Sequence, residues 1–172
     1  MVCGLVYKAG IIFTLASGFP GVSREIYMNH VKIKKGDMEA LSLVVMLDSR
    51  IFDPPWTVAQ WSAEIDNPAN KVVIMYMDAD RLYPCGFMSY SITGDVLELK
   101  KIGILPEYRR KKLGALSMDV MLYEAWKKKV HNVIIEVAVT NIPAIRLYEK
   151  LGFYKIGVRK KYYQNTVDAL VM

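Results

Sequence analysis

Residues 97–115 read LELKKIGILPEYRRKKLGA, and this stretch decides the architecture. A strand is expected over residues 96–104. Leu105-Pro106 breaks it, Arg109, Arg110, Lys111 and Lys112 crowd a short loop, and Leu113-Gly114-Ala115 opens a helix. A helix start offers free backbone N–H groups and the positive end of the dipole, so this order of strand, basic loop and helix makes a phosphate site. The alternative for any RRKK run is a solvated loop; the position between strand and helix favours the anion site. Lys112 and Lys127 are 15 positions apart, at opposite ends of a helix roughly 22 Å long. Lys127-Lys128-Lys129 therefore reads as a solvated C-terminus, where cations suit the dipole.

Upstream, the spacing of Met38, Leu41, Val44, Val45 and Leu47 predicts a helix over 36–47, with Asp37 placed to cap it. Asp53-Pro54-Pro55-Trp56 ends that helix, and Thr57 caps a second one to about Glu64. Strands are expected over 71–77 and 86–92, the second turning at Thr93-Gly94-Asp95 into the strand at 96–104. Downstream, a helix over 113–129 sets Leu116, Val120 and Tyr123 on one face, and a strand follows over 133–139. Thr140 or Asn141 starts a helix carrying Ala144, Ile145, Leu147, Tyr148 and Leu151, with Gly152 as its C-cap, and strands over 153–158 and 166–172 complete the sheet.

A chain of 172 residues suits one ordinary domain and is too short for two. With 53% hydrophobic and 23% charged residues, disorder and low-complexity assembly are excluded. The net charge of +6 favours anionic partners, whether phosphate, nucleic acid or an acidic surface. Nucleic-acid binding would use several basic patches in one stripe with aromatic interleaving, and Tyr162-Tyr163 beside Arg159-Lys160-Lys161 admits that as a minor reading. Cys3 and Cys85 make no disulfide framework and no spacing suggests zinc, so no metal is expected and a reducing compartment fits. The longest uncharged run has 15 residues and contains Gly10, Gly18, Pro20 and Gly21; a membrane helix needs roughly 18, so no membrane span is expected. Residues 8–16 faintly resemble a signal peptide that lacks its A-x-A cleavage pattern, and the protein is read as cytoplasmic. Residues 1–27 form an apolar N-terminal extension ahead of a domain at 28–172. They read as an appended strand or as the product of an upstream start codon.

Tyr108-Arg109-Arg110-Lys111-Lys112-Leu113-Gly114 resembles the acetyl-CoA loop of the GNAT N-acetyltransferases, whose pattern is Q/R-x-x-G-x-G/A, with Arg109 in the first place and Gly114 in the last. Residues 136–153, EVAVTNIPAIRLYEKLGF, resemble the family's long and specific E-V-x-x-x-N-x-x-A-x-x-L-Y-x-x-L-G-F signature. RKKYY at 159–163, DALVM at 168–172 and the Pro55-Trp56 loop resemble the RimI-type and NatA-catalytic-subunit branch, which acetylates protein N-termini. The resemblance covers about residues 28–172. It implies an α/β (α+β) fold, the GNAT fold, in which a mixed, mostly antiparallel sheet of about seven strands is flanked by about four helices. It also implies acetyl-CoA as cosubstrate without a metal, and protein or peptide N-termini as acceptors, ribosomal proteins among the candidates. Acetyl-CoA binding falls by resemblance to Ile102, Ile104, Arg109, Arg110, Lys111, Lys112, Leu113, Gly114, Ala115, Asn141 and Tyr148, and acceptor binding to Phe52, Trp56, Tyr162 and Tyr163. Lys112 departs from the pattern: the family usually has glycine there, which relieves crowding against a pyrophosphate. Lysine keeps the binding N–H and adds charge, so tolerance is expected.

An α-amino group with pKa about 8 is largely ammonium at neutral pH, so acetyl transfer needs a base, and the departing thiolate needs a proton. Glu136 is the one charged residue in 133–139, and desolvation in so apolar a run is expected to raise its pKa toward a general base's range. The alternative is a structural ion pair with a nearby cation. Tyr148 reads from periodicity as a core aromatic; the resemblance gives it the role of general acid. Asn141 is a good N-cap, and the resemblance sets it near the CoA arm. His30, His131 and Cys85 have no triad or metal-like partners and read as structural, so direct transfer without an acyl-enzyme is expected. Trp56 and Tyr162-Tyr163 favour a peptide acceptor. Asp53 and Glu64 are the scattered acids of that groove, too few to attract polycations, which leaves lysine or a small amine as the second reading and a non-catalytic acyl-CoA or nucleic-acid binding protein as the third.

Overall fold

The structure, a computed structural model, describes residues 26–28, 31–35, 38–77 and 83–172. Its strands are β1 Ile26–Met28, β2 Val31–Lys35, β3 Asn70–Met77, β4 Tyr83–Thr93, β5 Val96–Ile104, β6 Asn132–Ala138, β7 Gly157–Tyr163 and β8 Val167–Val171. Its α-helices are α1 Leu41–Ile51, α2 Val58–Asp66, α3 Leu113–Lys127 and α4 Ile142–Lys150. The strands join in the order β1-β2-β3-β4-β5-β6-β8-β7. Among them β5 and β6 alone run parallel. This is the mixed, mostly antiparallel α+β fold expected. Residues 1–25 of the apolar extension lie outside the described residues, and β1 takes up its last two positions.

Alternation along β3 shows how the sheet is covered. Val72 and Ile74 pack with Val44 and Leu47 of α1 and Trp61 of α2. Val73 and Met75 pack with Leu116 and Met121 of α3 and Tyr148 of α4. Period-two side chains thus feed two cores, one on each face of the sheet. Thr57 and Gln60 close a capping box at the start of α2, with Gln60 N–H donating to Thr57 Oγ1 at 3.2 Å and Thr57 N–H to Gln60 Oε1 at 2.8 Å. α1 begins at Leu41 after a short 3₁₀ turn at Met38–Ala40, and the expected cap Asp37 lies outside the described residues. α1 runs on past its expected end because Gly103 on β5 makes room for it: a Cβ there would stand 2.7 Å from Phe52 and 2.9 Å from Ile51.

The strand expected at 153–158 lies instead at Gly157–Tyr163. Gly152 takes φ +93° just past α4, and Phe153 N–H donates to Tyr148 O at 3.0 Å, so residues 153–156 finish the helix and carry the chain back to the sheet. The basic run Arg159 to Tyr163, which lies beyond the strand expected at 153–158, belongs to the edge strand β7, where charged side chains resist pairing with another chain.

What positions the site is the parting of β5 from β6. Their parallel ladder runs from Val96↔Asn132 to Leu99↔Ile135 and stops. Beyond it β6 continues with β8, from Glu136↔Val171 to Ala138↔Ala169, while β5 continues with β4 as far as Gly86↔Ile104. A bulge sits at the fork: Ser89 pairs with Lys101 and Tyr90 with Leu99, leaving Lys100 as the extra residue.

Candidate active site

A cleft of about 610 Å³ opens where the two strands separate. β5 contributes Lys101 and Ile102, β6 Glu136, and α4 with its N-cap Tyr148 and Asn141. Phe52 and Trp56 come from the loop between α1 and α2, Tyr163 and Gln164 from the β7–β8 hairpin. The cleft therefore brings together Phe52, Trp56, Ile102, Glu136, Asn141, Tyr148 and Tyr163 of the residues picked from the sequence. Ile104, Arg109 to Ala115 and Tyr162 stand outside its lining, and so does Glu64, whose carboxylate is buried and bonded to Asn70 Nδ2 at 2.7 Å and to Ser89 Oγ.

Glu136 is paired. Its Oε1 lies 2.8 Å from Arg159 Nε on the edge strand, and its side chain is 10% exposed. A hydrogen bond to the same carboxylate is the leading reason that the Tyr162 hydroxyl is held above its ordinary pKa, with burial second. Tyr163 donates its hydroxyl to the main-chain oxygen of Glu136 at 3.1 Å. Three residues of β7 thus fix the orientation of one acid on β6. Tyr148 is buried against Phe153, ring centroids 6.1 Å apart, and burial, helped by the neighbouring Tyr163, pushes its phenol up to about 12. It stays protonated at neutral pH.

The basic loop lies at the start of α3. Arg109 Nε donates to Ile104 O at 3.0 Å, tying the side chain back to the end of β5, and Lys111 Nζ sits 5.1 Å above the Tyr108 ring. Lys112 is the N-cap and has φ 62° and ψ 9°, in the left-handed region. The family's usual glycine at this place therefore also answers a backbone requirement that costs a non-glycine residue about 1–2 kcal/mol. No side chain caps α3, so its first amides keep their donors for a ligand. A Cβ on Gly114 would meet Leu147 at 3.4 Å, an ordinary contact. Uncapped amides, the cations of residues 109–112 and a forked strand pair fit a pyrophosphate-bearing thioester with an extended arm.

Sequence reasoning missed a second charged cluster. Asp48 on α1 is fully buried, and its Oδ2 accepts from Trp56 N–H at 2.8 Å and from Trp61 Nε1 at 2.9 Å. The Lys101 ammonium straddles that carboxylate, 2.8 Å from Oδ1 and 2.9 Å from Oδ2. It lies 4.4 Å from the Phe52 ring centre and 4.8 Å from that of Trp56. The available signal was an acid inside the apolar helical stripe of Val44 and Leu47. Cys85 is buried, and burial pushes its thiol up to about 12, which leaves it unreactive. His131 is exposed just before β6, and His30 and Cys3 lie outside the described residues. No group of metal-binding side chains and no helix long and apolar enough to cross a membrane occurs among the described residues.

The profile of the acetyltransferase (GNAT) family matches residues 41–153. The chain is 31% identical over 137 residues to a Bacillus subtilis protein provisionally named as a ribosomal protein bS18-alanine N-acetyltransferase, covering 78% of this chain and 89% of that one. It is 36% identical over 90 residues to the Escherichia coli ribosomal protein bS18-alanine N-acetyltransferase, covering 49% and 61% of the two chains. The crystal structure of the ribosomal-protein-S18-alanine N-acetyltransferase from Escherichia coli superposes with a TM-score of 0.76 at 23% identity, over 83% of this chain and 91% of that one. That likeness carries the fold, and the profile carries the rest: the chain belongs to the acetyltransferase (GNAT) family and is an acetyl-CoA-dependent N-acetyltransferase.

Proposed function

We propose that the protein acetylates the α-amino group of protein N-termini in the cytoplasm, ribosomal proteins among them, with Glu136 as general base and Tyr148 as general acid. The observation that carries this reading is the junction of two loops in the cleft wall. Gln164 Nε2 on the β7–β8 hairpin donates to Asp53 O at 3.2 Å on the α1–α2 loop, so the loops bearing Tyr163 and Trp56 are joined in the lining that Glu136 and Tyr148 share. A cleft with aromatic walls suits the free end of an extended chain. The named relatives, whose acceptor is the ribosomal protein bS18, support the same class of acceptor.

Acetyl-CoA supplies the acetyl group as a thioester. The α3 start, with Arg109, Arg110, Lys111, Lys112, Leu113, Gly114 and Ala115, binds its phosphates through main-chain N–H groups and charge. Ile102, Ile104 and Asn141 flank the arm. Glu136 accepts the proton of the incoming ammonium, directly or through one water, while Arg159 and Tyr162 keep its carboxylate in place. As the nitrogen bonds the acetyl carbon and the C–S bond breaks, Tyr148 hands its phenolic proton to the departing sulfur, and the second proton shed by the nitrogen returns to the phenolate. Phe52, Trp56, Tyr162 and Tyr163 contact the peptide.

Steady-state kinetics of Tyr162→Ala and Tyr163→Ala test the acceptor assignment. Both variants are expected to raise the peptide KM by about tenfold while changing the acetyl-CoA KM about twofold at most, the pattern of lost acceptor binding. An unchanged peptide KM in both would favour a small amine as the acceptor.

A further inference from the structure

Lys101 lines the same cleft as Glu136 and Tyr148, and its pair with Asp48 ties two parts of the cleft wall, β5 and the Trp56 loop, to α1 outside that lining. Asp48 is on α1, Trp56 on the acceptor loop, and Lys101 at the bulge of β5, next to Ile102. The Asp48 side chain is 0% exposed and that of Lys101 9%. Burial drives the lysine toward its neutral form, and the Asp48 carboxylate opposes this. Such a pair adds little net stability over a well-packed apolar pair, because desolvating two charges consumes most of their attraction. Stability therefore does not account for it. What charge adds here is direction: the carboxylate anchors the Trp56 main chain and the Trp61 indole, while the ammonium it holds covers the faces of Phe52 and Trp56. An apolar pair would fill the same space and leave the Trp56 N–H without its partner and both rings without the cation.

We propose that Lys101 and Asp48 are positioning residues for the acceptor, a buried latch that holds Phe52 and Trp56 as a preformed wall against which an acceptor peptide docks. This rests on the peptide-acceptor reading above. The latch acts on the acceptor wall and leaves the phosphate site at the start of α3 untouched. Its loss should appear in acceptor KM and in the mobility of Trp56.

The test uses the full chain with Trp126, which is 72% exposed, replaced by Phe, so that Trp56 and Trp61 supply all the indole fluorescence. Lys101→Met keeps the bulk of the stem without the charge, and Asp48→Asn keeps an acceptor oxygen without the charge. Each is expected to increase acrylamide quenching about twofold, to raise the acceptor-peptide KM about tenfold or more, and to leave acetyl-CoA affinity by titration within about twofold. If one variant fails to fold, the other decides. Unchanged quenching, unchanged acceptor KM, or an equal loss of acetyl-CoA affinity would each overturn the latch. Should the unsubstituted protein turn over no N-terminal peptide, the functional reading fails on its own. The quenching arm, with KM measured for whichever amine is acetylated, then decides the latch separately.

Discussion

Glu136→Gln should lower kcat by about 10²–10⁴-fold, the usual worth of a positioned general base, and leave acetyl-CoA affinity nearly intact. The carboxylate lines the cleft on β6, whereas the helix start proposed for the phosphates stands outside that lining, so its loss is expected to touch proton transfer and not cofactor binding. Glutamine keeps an oxygen for Arg159 and Tyr162, which makes the substitution a change of chemistry more than of shape. The deficit should shrink as pH rises past about 8, where the α-amine loses its proton to solvent. The variant's rate would then climb where the parent levels off. Tyr148→Phe should also lower kcat, with a weaker pH signature, because a thiolate of pKa about 8.5 leaves partly unaided. Near-parental turnover of Glu136→Gln across the whole range would remove the acid from the mechanism.

Trp61→Ala is expected to be the most damaging single change to stability. The indole is fully buried, lies 4.8 Å from Trp56 and 5.2 Å edge-on from Phe87, and donates to Asp48 at 2.9 Å. Deleting a buried aromatic costs about 3–5 kcal/mol through lost transfer energy and the cavity left behind, a large share of the roughly 5–15 kcal/mol that holds a domain folded. Thermal denaturation should show Tm lower by about 6–20 °C. Trp126→Ala, on the exposed side of α3, should change stability by less than about 0.5 kcal/mol. Equal shifts for the two would mean that the α1–α2 layer is not a packed core.

How much of this was legible in the sequence depends on the range over which each feature is determined. β5 is local: Gly94 at φ 58° turns the chain into Val96, and Leu105-Pro106 ends the strand, so its bounds stand in the residues themselves. The Thr57 capping box and the Asn141 cap, whose Oδ1 accepts from Ala144 N–H at 3.3 Å, are equally local. β7 is not, because Arg159-Lys160-Lys161 carries no alternation of apolar and polar side chains and becomes a strand only by pairing with β8. The fork between β5 and β6 depends on β8 taking over from β5 at Glu136, a choice of partner that no local pattern records. Glu136 was found as the lone acid of an apolar strand, but its partner Arg159 and the Asp48–Lys101 pair are contacts between residues far apart in the chain. The left-handed backbone at Lys112 lay hidden for the opposite reason: lysine gives no hint of the positive φ that glycine would have announced.

The amine acetylated in this cleft is expected to be a chain terminus. The direct measurement incubates the protein with acetyl-CoA and an equimolar mixture of two peptides of the same sequence containing one internal lysine, one with a free α-amine and one with that amine blocked, and locates the added acetyl group by fragment mass spectrometry. Acetyl is expected on the α-nitrogen of the free peptide and on lysine in neither. Acetyl-lysine on the blocked peptide at a comparable rate would contradict it.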